Sequence, residues 1–336
     1  MCQDECQDES QSHGARSGER DQADRAARLV FSPVAEALPD TVPFVGPETL
    51  ERARGRPFEA RLGANENGFG PSPAVREALA RAASEAWMYG DPEGGALRAA
   101  LAERLDAPLE AIVLSEGIDG LLGLACRLAL PPGAVAVSSL GGYPTFAYHV
   151  IGHGARLAAV PYREDRCDLQ GLAAAARDEG ARVVYLANPD NPMGAQWSAE
   201  AVDRFIDATP EHCLILLDEA YLETAEGAAP PIAADLTRPN LVRLRTFSKA
   251  HGLAGMRVGY AIGAPETVAA FHKVRNHFGV GRLAQIAALA ALQDEAGLGA
   301  LVRAIAESRL RIAEIAEASG LTTLPSSANF VAVDCG

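Results

Sequence analysis

Hydrophobic positions follow two alternating patterns through most of the chain. Short runs rich in valine, leucine, isoleucine and alanine are separated by segments in which apolar residues recur every three or four positions. The short runs are typical of buried parallel strands and the longer segments of amphipathic helices. The predicted strands are Ala111–Leu114, Ala134–Val137, Leu157–Val160, Arg182–Leu186, Cys213–Leu217, Leu241–Arg245 and Val258–Ile262. This alternation predicts an α/β fold, a three-layer sandwich with helices on both faces of a mostly parallel sheet.

The segments that flank this alternating region have different patterns. Residues 1–25 are rich in Gln, Asp, Glu and Ser and predict a disordered tail, whereas proline-interrupted residues 26–62 predict an N-terminal arm that forms part of a small domain. Beyond Pro265 the pattern is helical, with predicted helices at Leu283–Leu292 and Leu298–Ala318 and a closing strand at Asn329–Val333. We therefore place a large domain at 63–275 and a smaller α+β domain at 276–336.

Composition excludes several classes of function. The chain of 336 residues is 48% hydrophobic with no apolar run of membrane-spanning length, so we expect a soluble protein without a membrane partner. Its formal net charge of -14 argues against nucleic-acid binding, which needs a cationic surface. The six cysteines include no CxxC pair, and no signal-peptide core is present, which favours reduced thiols and a cytoplasmic location. We predict no metal site.

A glycine-rich loop between the last two predicted strands carries a candidate reactive group, Lys249. Ser248 precedes this lysine, and Arg257 follows it by eight positions. The stretch Thr246–Tyr260 resembles the lysine signature of fold-type I pyridoxal 5'-phosphate enzymes, the class I and II aminotransferases. In that family the lysine binds the cofactor covalently, and the serine and arginine hold its phosphate. The alternative is a surface lysine in a glycine-rich turn.

Two further loops lie where predicted strands end, which is where open parallel sheets bind ligands. Gly117, Ile118 and Asp119 begin an apolar helix, whose backbone N–H groups suit a phosphate, although Asp119 as a simple helix cap is the alternative. Phe146 matches the aromatic residue that stacks on the cofactor ring in the family. Tyr143 is the second aromatic candidate, and either ring could belong to the core.

Two more strand ends carry polar groups. The segment from Asn188 to Gly194 resembles the family's N-P-N-N-P-T-G loop, in which Asn191 matches the residue that bonds the cofactor's phenolic oxygen, although Asp190 and Met193 depart from the pattern. Asp218 ends an apolar strand, where a carboxylate is costly unless it meets a positive partner. The resemblance implies that this partner is the cofactor's ring nitrogen and that Tyr221 lies beside Asn191.

The resemblance covers about residues 61–333 and is closest to histidinol-phosphate aminotransferase-like proteins. It implies a large domain like that of aspartate aminotransferase, pyridoxal 5'-phosphate as cofactor, and amino-group transfer between an amino acid or amino-alcohol phosphate and a 2-oxo acid such as 2-oxoglutarate. It also implies a homodimer with a shared active site, in which Tyr89 reaches the phosphate in the other subunit. Alternatives are a decarboxylase of the threonine-phosphate decarboxylase type and a non-catalytic cofactor-binding protein.

The chain departs from the family in two features that affect substrate binding, its C-terminal end and the residue at position 251. The chain stops at Gly336, before the elements that carry the substrate-binding arginine in the family, so we expect the small domain to be incomplete at its C-terminus. Arg275, Arg282 and Asn65 are the candidate replacements for that arginine. His251 stands where relatives often have an aromatic residue, and it either tunes the substrate preference or packs in the core.

Overall fold

The described part of this computed structural model comprises residues 31–38, 44–225, 227, 232–233 and 235–336. The predicted tail at 1–25 and parts of the predicted arm, residues 26–30 and 39–43, lie outside it. Residues 1–40 form one unit, which contains helix α1 (Pro33–Ala37), capped by the Ser32 hydroxyl that accepts from the Ala35 amide at 3.2 Å. Residues 41–336 form a second unit, which contains every other element described below.

The second unit follows the predicted alternation of strands and helices. Its helices are α2 (Pro47–Arg54), α3 (Pro73–Ala82), α4 (Gly95–Leu105), α5 (Gly117–Ala129), α6 (Pro144–Gly152), α7 (Leu169–Asp178), α8 (Ala199–Ala208), α9 (Pro265–Val274), α10 (Arg282–Gln293) and α11 (Glu295–Ala318). Its strands are β1 (Ile112–Ser115), β2 (Val135–Ser139), β3 (Arg156–Val160), β4 (Val183–Ala187), β5 (Leu214–Asp218), β6 (Leu241–Thr246), β7 (Gly259–Gly263), β8 (Thr322–Thr323) and β9 (Val333–Asp334). No helix within the described ranges combines the length and the apolarity that crossing a bilayer requires.

Strands β1 to β7 form one sheet in the order β1-β7-β6-β5-β4-β2-β3. Neighbouring strands from β3 to β6 are parallel, and β7 is antiparallel to both β1 and β6. Because β1, β2, β4, β5 and β6 share one direction, their carboxyl ends meet at the same edge of the sheet. The prediction of a mostly parallel sheet is confirmed.

Helices cover both faces of this sheet, as β4 illustrates. Val183, Tyr185 and Ala187 of β4 pack into a core with α5, α6 and α9, whereas Val184 and Leu186 pack into a second core with α7 and α8. Successive side chains of a strand point to opposite faces, so a continuous apolar strand needs a core on each side. The three-layer α/β prediction is therefore confirmed.

The predicted closing strand at Asn329–Val333 is wrong in extent. Only Val333–Asp334 is a strand, and it pairs with Thr322–Thr323. Residues 326–330 turn instead, because the Ser326 hydroxyl donates to the Phe330 carbonyl at 2.5 Å and the Asn329 side chain donates to the Asn65 carbonyl at 2.8 Å. This turn lies beside the strand edge where the loops meet. The domain boundaries at residues 62 and 275 stay predictions.

Candidate active site

A cavity of about 310 Å³ lies at the shared carboxyl edge of the parallel strands. It is lined by the loops that follow β1, β2, β4, β5 and β6, together with residues just before α3. The lining residues are Ala64, Glu66, Ile118, Asp119, Tyr143, Tyr185, Ala187, Asn191, Asp218, Ala220, Tyr221, Thr246, Ser248, Lys249, Ala254, Gly255 and Arg257. Five separate loops of the sequence therefore meet in one cavity.

Lys249 is a half-buried amine in this cavity. Its Nζ donates to the carbonyl oxygens of Ala64 at 3.1 Å and Asn65 at 3.3 Å, and lies 5.6 Å from the centre of the Tyr221 ring. Burial lowers the pKa of the Lys249 amine from 10.5 to about 8, and the carboxylate of Asp218 opposes that shift. A sizeable fraction of this amine is therefore neutral and nucleophilic near neutral pH.

Asp218, at the end of β5, faces the same cavity. The Tyr185 hydroxyl donates to its Oδ2 at 2.7 Å, and the Ala220 amide donates to its Oδ1 at 2.9 Å. It has no cation within ion-pair distance in the described part of the chain, and burial raises its pKa from 3.8 to about 6. Such a carboxylate is arranged to receive a cationic N–H group from a ligand.

A hydrogen-bonded group of three side chains lies beside Lys249. The Tyr221 hydroxyl accepts from the side-chain amides of Asn65 at 3.2 Å and Asn191 at 3.3 Å. The edge of the Phe330 ring packs against the Tyr221 ring at a centroid distance of 5.3 Å. Asn191 and Tyr221 thus lie together, as predicted, and Asn65 joins them as a hydrogen-bond donor to that hydroxyl.

Ser248, Arg257 and the start of α5 form an anion cradle at one end of the cavity. Arg257 Nη1 lies 3.5 Å from the Ser248 hydroxyl, and its Nη2 donates to the Glu116 carbonyl at 3.2 Å. Gly117, the first residue of α5, has a φ of 81°, and a Cβ there would lie 2.7 Å from Arg257 Nη2. The guanidinium and the helix N-terminus can therefore approach the same phosphate.

We expect the substitution Gly117→Ala to weaken binding of a phosphate-bearing cofactor about tenfold or more. The added methyl would displace the Arg257 guanidinium and strain a left-handed backbone, which costs about 1–3 kcal/mol. Gly133→Ala is the matched control, because Gly133 has the same φ of 81° with nothing within 4 Å of its Cβ position. Cofactor titration monitored by absorbance measures both. Equal affinities in the two variants would contradict this account of the cradle.

Ile118 and Asp119, the next residues of α5, also line the cavity as predicted. Asp119 is not a simple cap: its Oδ1 lies 2.9 Å from Nε2 of His149 on α6. The contact directs the carboxylate toward α6, which leaves the backbone N–H groups of α5 facing the cradle. His149 carries no motif in the sequence, so only the packing of α5 on α6 reveals this pair.

The prediction that Phe146 stacks on the cofactor is corrected by the structure. The Phe146 ring is completely buried and stacks on Tyr185 at a centroid distance of 4.9 Å, so it has no surface in the cavity. Tyr143, three residues earlier and before the first turn of α6, lines the cavity instead. Of the two aromatic candidates, Tyr143 is therefore the one that could contact a ring bound in this cavity.

Several other predicted residues lie outside the cavity lining, and of these Gly117 and Asn65 each contact a lining residue, Arg257 and Tyr221 respectively. Tyr89 is 77% exposed and contacts only the Phe278 ring among aromatic residues of the described chain, so its role in a shared site stays a prediction. Arg275 donates to the Pro92 carbonyl, and Arg282 pairs with Glu85 at 3.1 Å. Neither arginine is therefore placed to bind a substrate carboxylate in this cavity.

Two of the lining residues that the sequence did not predict carry polar groups that bear on the site. Tyr185 lies inside β4 and reaches Asp218 on the neighbouring strand, a contact that only the strand register makes visible. Glu66 lines the cavity and is held by Arg61, whose Nε and Nη2 bond its two oxygens at 2.6 and 2.9 Å. Within the described residues no group of three or more potential metal ligands occurs.

This set of groups suits pyridoxal 5'-phosphate. The cradle offers two phosphate-binding groups, and Asp218 lacks the positive partner that a ring nitrogen would supply. Lys249 supplies an amine with a lowered pKa, and the hydroxyl of Tyr221 can bond a phenolic oxygen. The residues present therefore fit the cofactor that the sequence resemblance implies.

Comparisons with known proteins agree with this chemistry. The family model described as aminotransferase class I and II matches residues 60–336. Histidinol-phosphate aminotransferase 2 of Pseudomonas fluorescens (strain Pf0-1) is 41% identical over 82% of this chain and 75% of that protein. Aromatic amino acid aminotransferase of Thermobifida fusca is 40% identical over 81% and 76%. A crystal structure of histidinol-phosphate aminotransferase from Sinorhizobium meliloti with pyridoxal-5'-phosphate superposes with a TM-score of 0.89 at 55% identity, covering 93% of this chain and 84% of that one.

Proposed function

Because this chain belongs to the class I and II aminotransferases and is a pyridoxal-phosphate-dependent transferase, we propose that it transfers the amino group of histidinol phosphate, or of a related amino-alcohol phosphate or amino acid, to a 2-oxo acid such as 2-oxoglutarate. The observation that carries the proposal is the meeting of Lys249 and Asp218 in one cavity with a phosphate cradle. The 55% identity with the Sinorhizobium meliloti enzyme supports histidinol phosphate as the first donor to test.

Specific residues would hold the cofactor. Ser248, Arg257 and the backbone of Gly117–Asp119 would bind its phosphate, and Asn191 and Tyr221 would bond its phenolic oxygen. Asp218 would keep its ring nitrogen protonated, and Tyr143 would lie against its ring. Bound in this way, pyridoxal phosphate supplies a protonated ring that withdraws electrons from the reacting amino acid.

Lys249 would carry the proton transfers. Its Nζ would be the point of covalent attachment of the cofactor and, once free, would stand beside Cα of the donor. As a neutral amine it would remove a proton from Cα of the donor, and in the second half of the cycle it would give one to Cα of the amino-acid product, as a general base and then a general acid. The fixed contacts of Nζ with the carbonyls of Ala64 and Asn65 limit its positions for this transfer.

Substrate assays separate this proposal from its alternatives. Purified holoenzyme is supplied with L-histidinol phosphate or L-phenylalanine as donor and 2-oxoglutarate as acceptor, while glutamate and carbon dioxide are measured. We expect glutamate formation with a higher kcat/KM for histidinol phosphate. A preference for phenylalanine would assign the chain to the specificity of its Thermobifida relative, carbon dioxide release would indicate a decarboxylase, and no product at all would favour a binding protein.

The lowered pKa of Lys249 predicts the pH dependence of cofactor attachment. Only the neutral amine reacts, and with a pKa of about 8 the neutral fraction rises about tenfold between pH 7 and pH 9 and then levels off. Stopped-flow absorbance of apoprotein mixed with pyridoxal phosphate measures this rate. A rate that still increases steeply above pH 9 would mean that Lys249 keeps an ordinary lysine pKa, and would contradict the burial of this amine.

We also infer a cytoplasmic homodimer. Exposed aromatic side chains cluster near one another in the sequence, with Trp87 at 82% and Tyr89 at 77% exposure, and Tyr89 packs on the half-exposed Phe278. Large aromatic surfaces of this kind are typical of protein interfaces. Sedimentation velocity of the holoenzyme tests the assembly, and the variant Trp87→Ala is expected to shift it toward monomer.

A further inference from the structure

The loop that follows β4, residues 188–198, contains a buried carboxylate with no role described so far. Asp190 is only 3% exposed, although it lies in a loop. Its neighbour Asn191 lines the cofactor cavity, whereas Asp190 is not part of that lining. Because a buried carboxylate is costly unless hydrogen bonds satisfy it, the partners of Asp190 indicate what its side chain does.

Three groups donate hydrogen bonds to the Asp190 carboxylate. The Tyr162 hydroxyl lies 3.0 Å from Oδ1 and 3.1 Å from Oδ2, and the Cys167 thiol donates to Oδ1 at 3.1 Å. The Met193 backbone amide donates to Oδ2 at 3.0 Å. Both oxygens therefore accept from donors, one inside the loop and two on the segment between β3 and α7. Strand β2 separates β3 from β4 in the sheet, so these contacts join two loops across a strand.

The two side chains that face Asp190 keep their protons around neutral pH. Burial raises the pKa of the Cys167 thiol to about 12, and it also raises the pKa of the Tyr162 hydroxyl above its ordinary value. Burial raises the pKa of Asp190 as well, and the hydrogen bonds from Cys167, the Met193 amide and Tyr162 oppose that shift. The thiol and the hydroxyl thus remain donors, and the carboxylate is their acceptor.

The base of the loop is held by a separate set of contacts. The Asn188 side chain donates to the Trp197 carbonyl at 3.1 Å and accepts from the Trp197 amide at 2.8 Å. The indole N–H of Trp197 donates to the Cys167 carbonyl at 3.1 Å, and the Arg166 guanidinium lies 3.7 Å from the indole ring. The base therefore keeps its contacts if the carboxylate is removed, whereas the carboxylate ties the tip, residues 190–194, to the segment between β3 and α7.

We propose that Asp190 is a positioning residue, whose carboxylate fixes the loop tip so that the Asn191 side chain is held toward the phenolic oxygen of the cofactor. The inference rests on the proposed contact between Asn191 and the cofactor. The Asn191 amide lies 3.3 Å from the Tyr221 hydroxyl, the other group proposed to bond that oxygen. A donor that is already fixed does not have to be reoriented when charge develops on its acceptor, so its hydrogen bond is more effective.

The pH dependence of the holoenzyme's visible absorbance measures this hydrogen bond. A donor to the phenolic oxygen stabilises its anionic form and lowers the pH at which the cofactor attached to Lys249 loses a proton. We expect Asn191→Ala to raise that midpoint by about one pH unit or more, which is the effect of losing one hydrogen bond to a charged group. Asp190→Ala should raise it by at least about half as much.

A double-mutant cycle shows whether Asp190 acts through Asn191. If it does, Asp190→Ala adds almost nothing to the midpoint of the Asn191→Ala variant, although each change is felt alone. An unshifted midpoint in Asp190→Ala, or the same shift in both backgrounds, would overturn the inference. An unshifted midpoint in Asn191→Ala would overturn the cofactor contact of Asn191 together with it.

Two conservative variants separate the hydrogen bonds from loss of the fold. Asp190→Asn keeps one oxygen for the Met193 amide, so it should raise the midpoint by less than half as much as Asp190→Ala. Tyr162→Phe keeps the ring and removes one donor, and it should raise the midpoint by a smaller amount even if Asp190→Ala does not fold. An Asp190→Asn midpoint as high as that of Asp190→Ala, or an unshifted one in Tyr162→Phe, would contradict the anchor.

Asp168→Ala is the matched control for general destabilisation. Asp168 follows Cys167 directly and caps α7, because its Oδ1 accepts from the Gly171 amide at 2.9 Å. Its loss should lower the melting temperature and leave the absorbance midpoint unchanged. A shift in Asp168→Ala as large as that in Asp190→Ala would mean that weaker folding alone moves the midpoint, and would overturn the inference.

Amide hydrogen exchange of the apoprotein provides a measurement that needs neither cofactor nor substrate. The peptide that covers residues 190–194 should exchange at least about tenfold faster in Asp190→Ala, and at an unchanged rate in Asp168→Ala. Unchanged exchange in Asp190→Ala would show that other contacts hold the loop tip, and would contradict the proposal. None of these measurements uses an amino donor, so their failure leaves the aminotransferase proposal intact, and a failed substrate assay leaves this inference standing.

Discussion

The variant Lys249→Ala is expected to lose transamination by about 10⁴-fold, because it removes both the covalent attachment of the cofactor and the base that moves the proton at Cα. No other basic side chain of the cavity lining could take over the proton transfer. Arg257 is the other basic residue in that lining, and its guanidinium stays charged. Steady-state assays with histidinol phosphate and 2-oxoglutarate measure the loss.

The chain provides an unusually clean control for this variant. Its only other lysine is Lys273, which is exposed on α9. Lys273→Ala should keep full activity and cofactor absorbance. If Lys249→Ala keeps more than about one-hundredth of the activity, Lys249 is not the proton-transferring base.

The variant Asp218→Asn is expected to have opposite effects on activity and on stability. In the holoenzyme it removes the anion that pairs with the ring nitrogen, and loss of one partner of a buried ion pair costs about 3–5 kcal/mol, or about 10³-fold in kcat. In the apoprotein the same carboxylate lacks a cationic partner within ion-pair distance in the described structure, so its removal should stabilise the fold.

The sign and pH range of the stability effect follow from the pKa of Asp218. Its folded value of about 6 lies above the ordinary 3.8, so ionisation of this group favours unfolding as the pH rises through that interval. Asp218→Asn should therefore stabilise the apoprotein by about 3 kcal/mol at pH 8 and by only about 0.5 kcal/mol at pH 4. Urea unfolding of both apoproteins at the two pH values measures the difference. A variant that is less stable at pH 8, or that retains kcat, would contradict the proposed role.

Sequence patterns were sufficient to predict the strands and most of the cavity. Lys249, Asp218 and Asn191 each follow an apolar run, and ligands of a parallel sheet gather at the carboxyl ends of its strands. If these apolar runs form parallel strands, the three side chains must lie at the same edge of the sheet. This prediction needs no knowledge of how the helices pack. The structure places all three in the lining of one cavity.

Two kinds of feature could not be predicted from the sequence. One depends on which face a helix turns toward the sheet, and the other on the register in which neighbouring strands pair. Phe146 and Tyr143 are three positions apart, and only the orientation of α6 on the sheet decides that the first enters the core and the second faces the cavity. Tyr185 reads as an ordinary buried strand residue until the pairing of β4 with β5 brings it to Asp218. The segment after Ser326 has a strand-like sequence, but side-chain hydrogen bonds of Ser326 and Asn329 turn it.

Borohydride reduction of the holoenzyme followed by peptide mass mapping tests the central claim most directly. With only two lysines in the chain, the stable pyridoxyl adduct has few places to form. Our account predicts one adduct per chain, on the peptide that contains Lys249, and none on the peptide that contains Lys273. An adduct on Lys273, or a protein that binds pyridoxal phosphate without any reducible link, would contradict it.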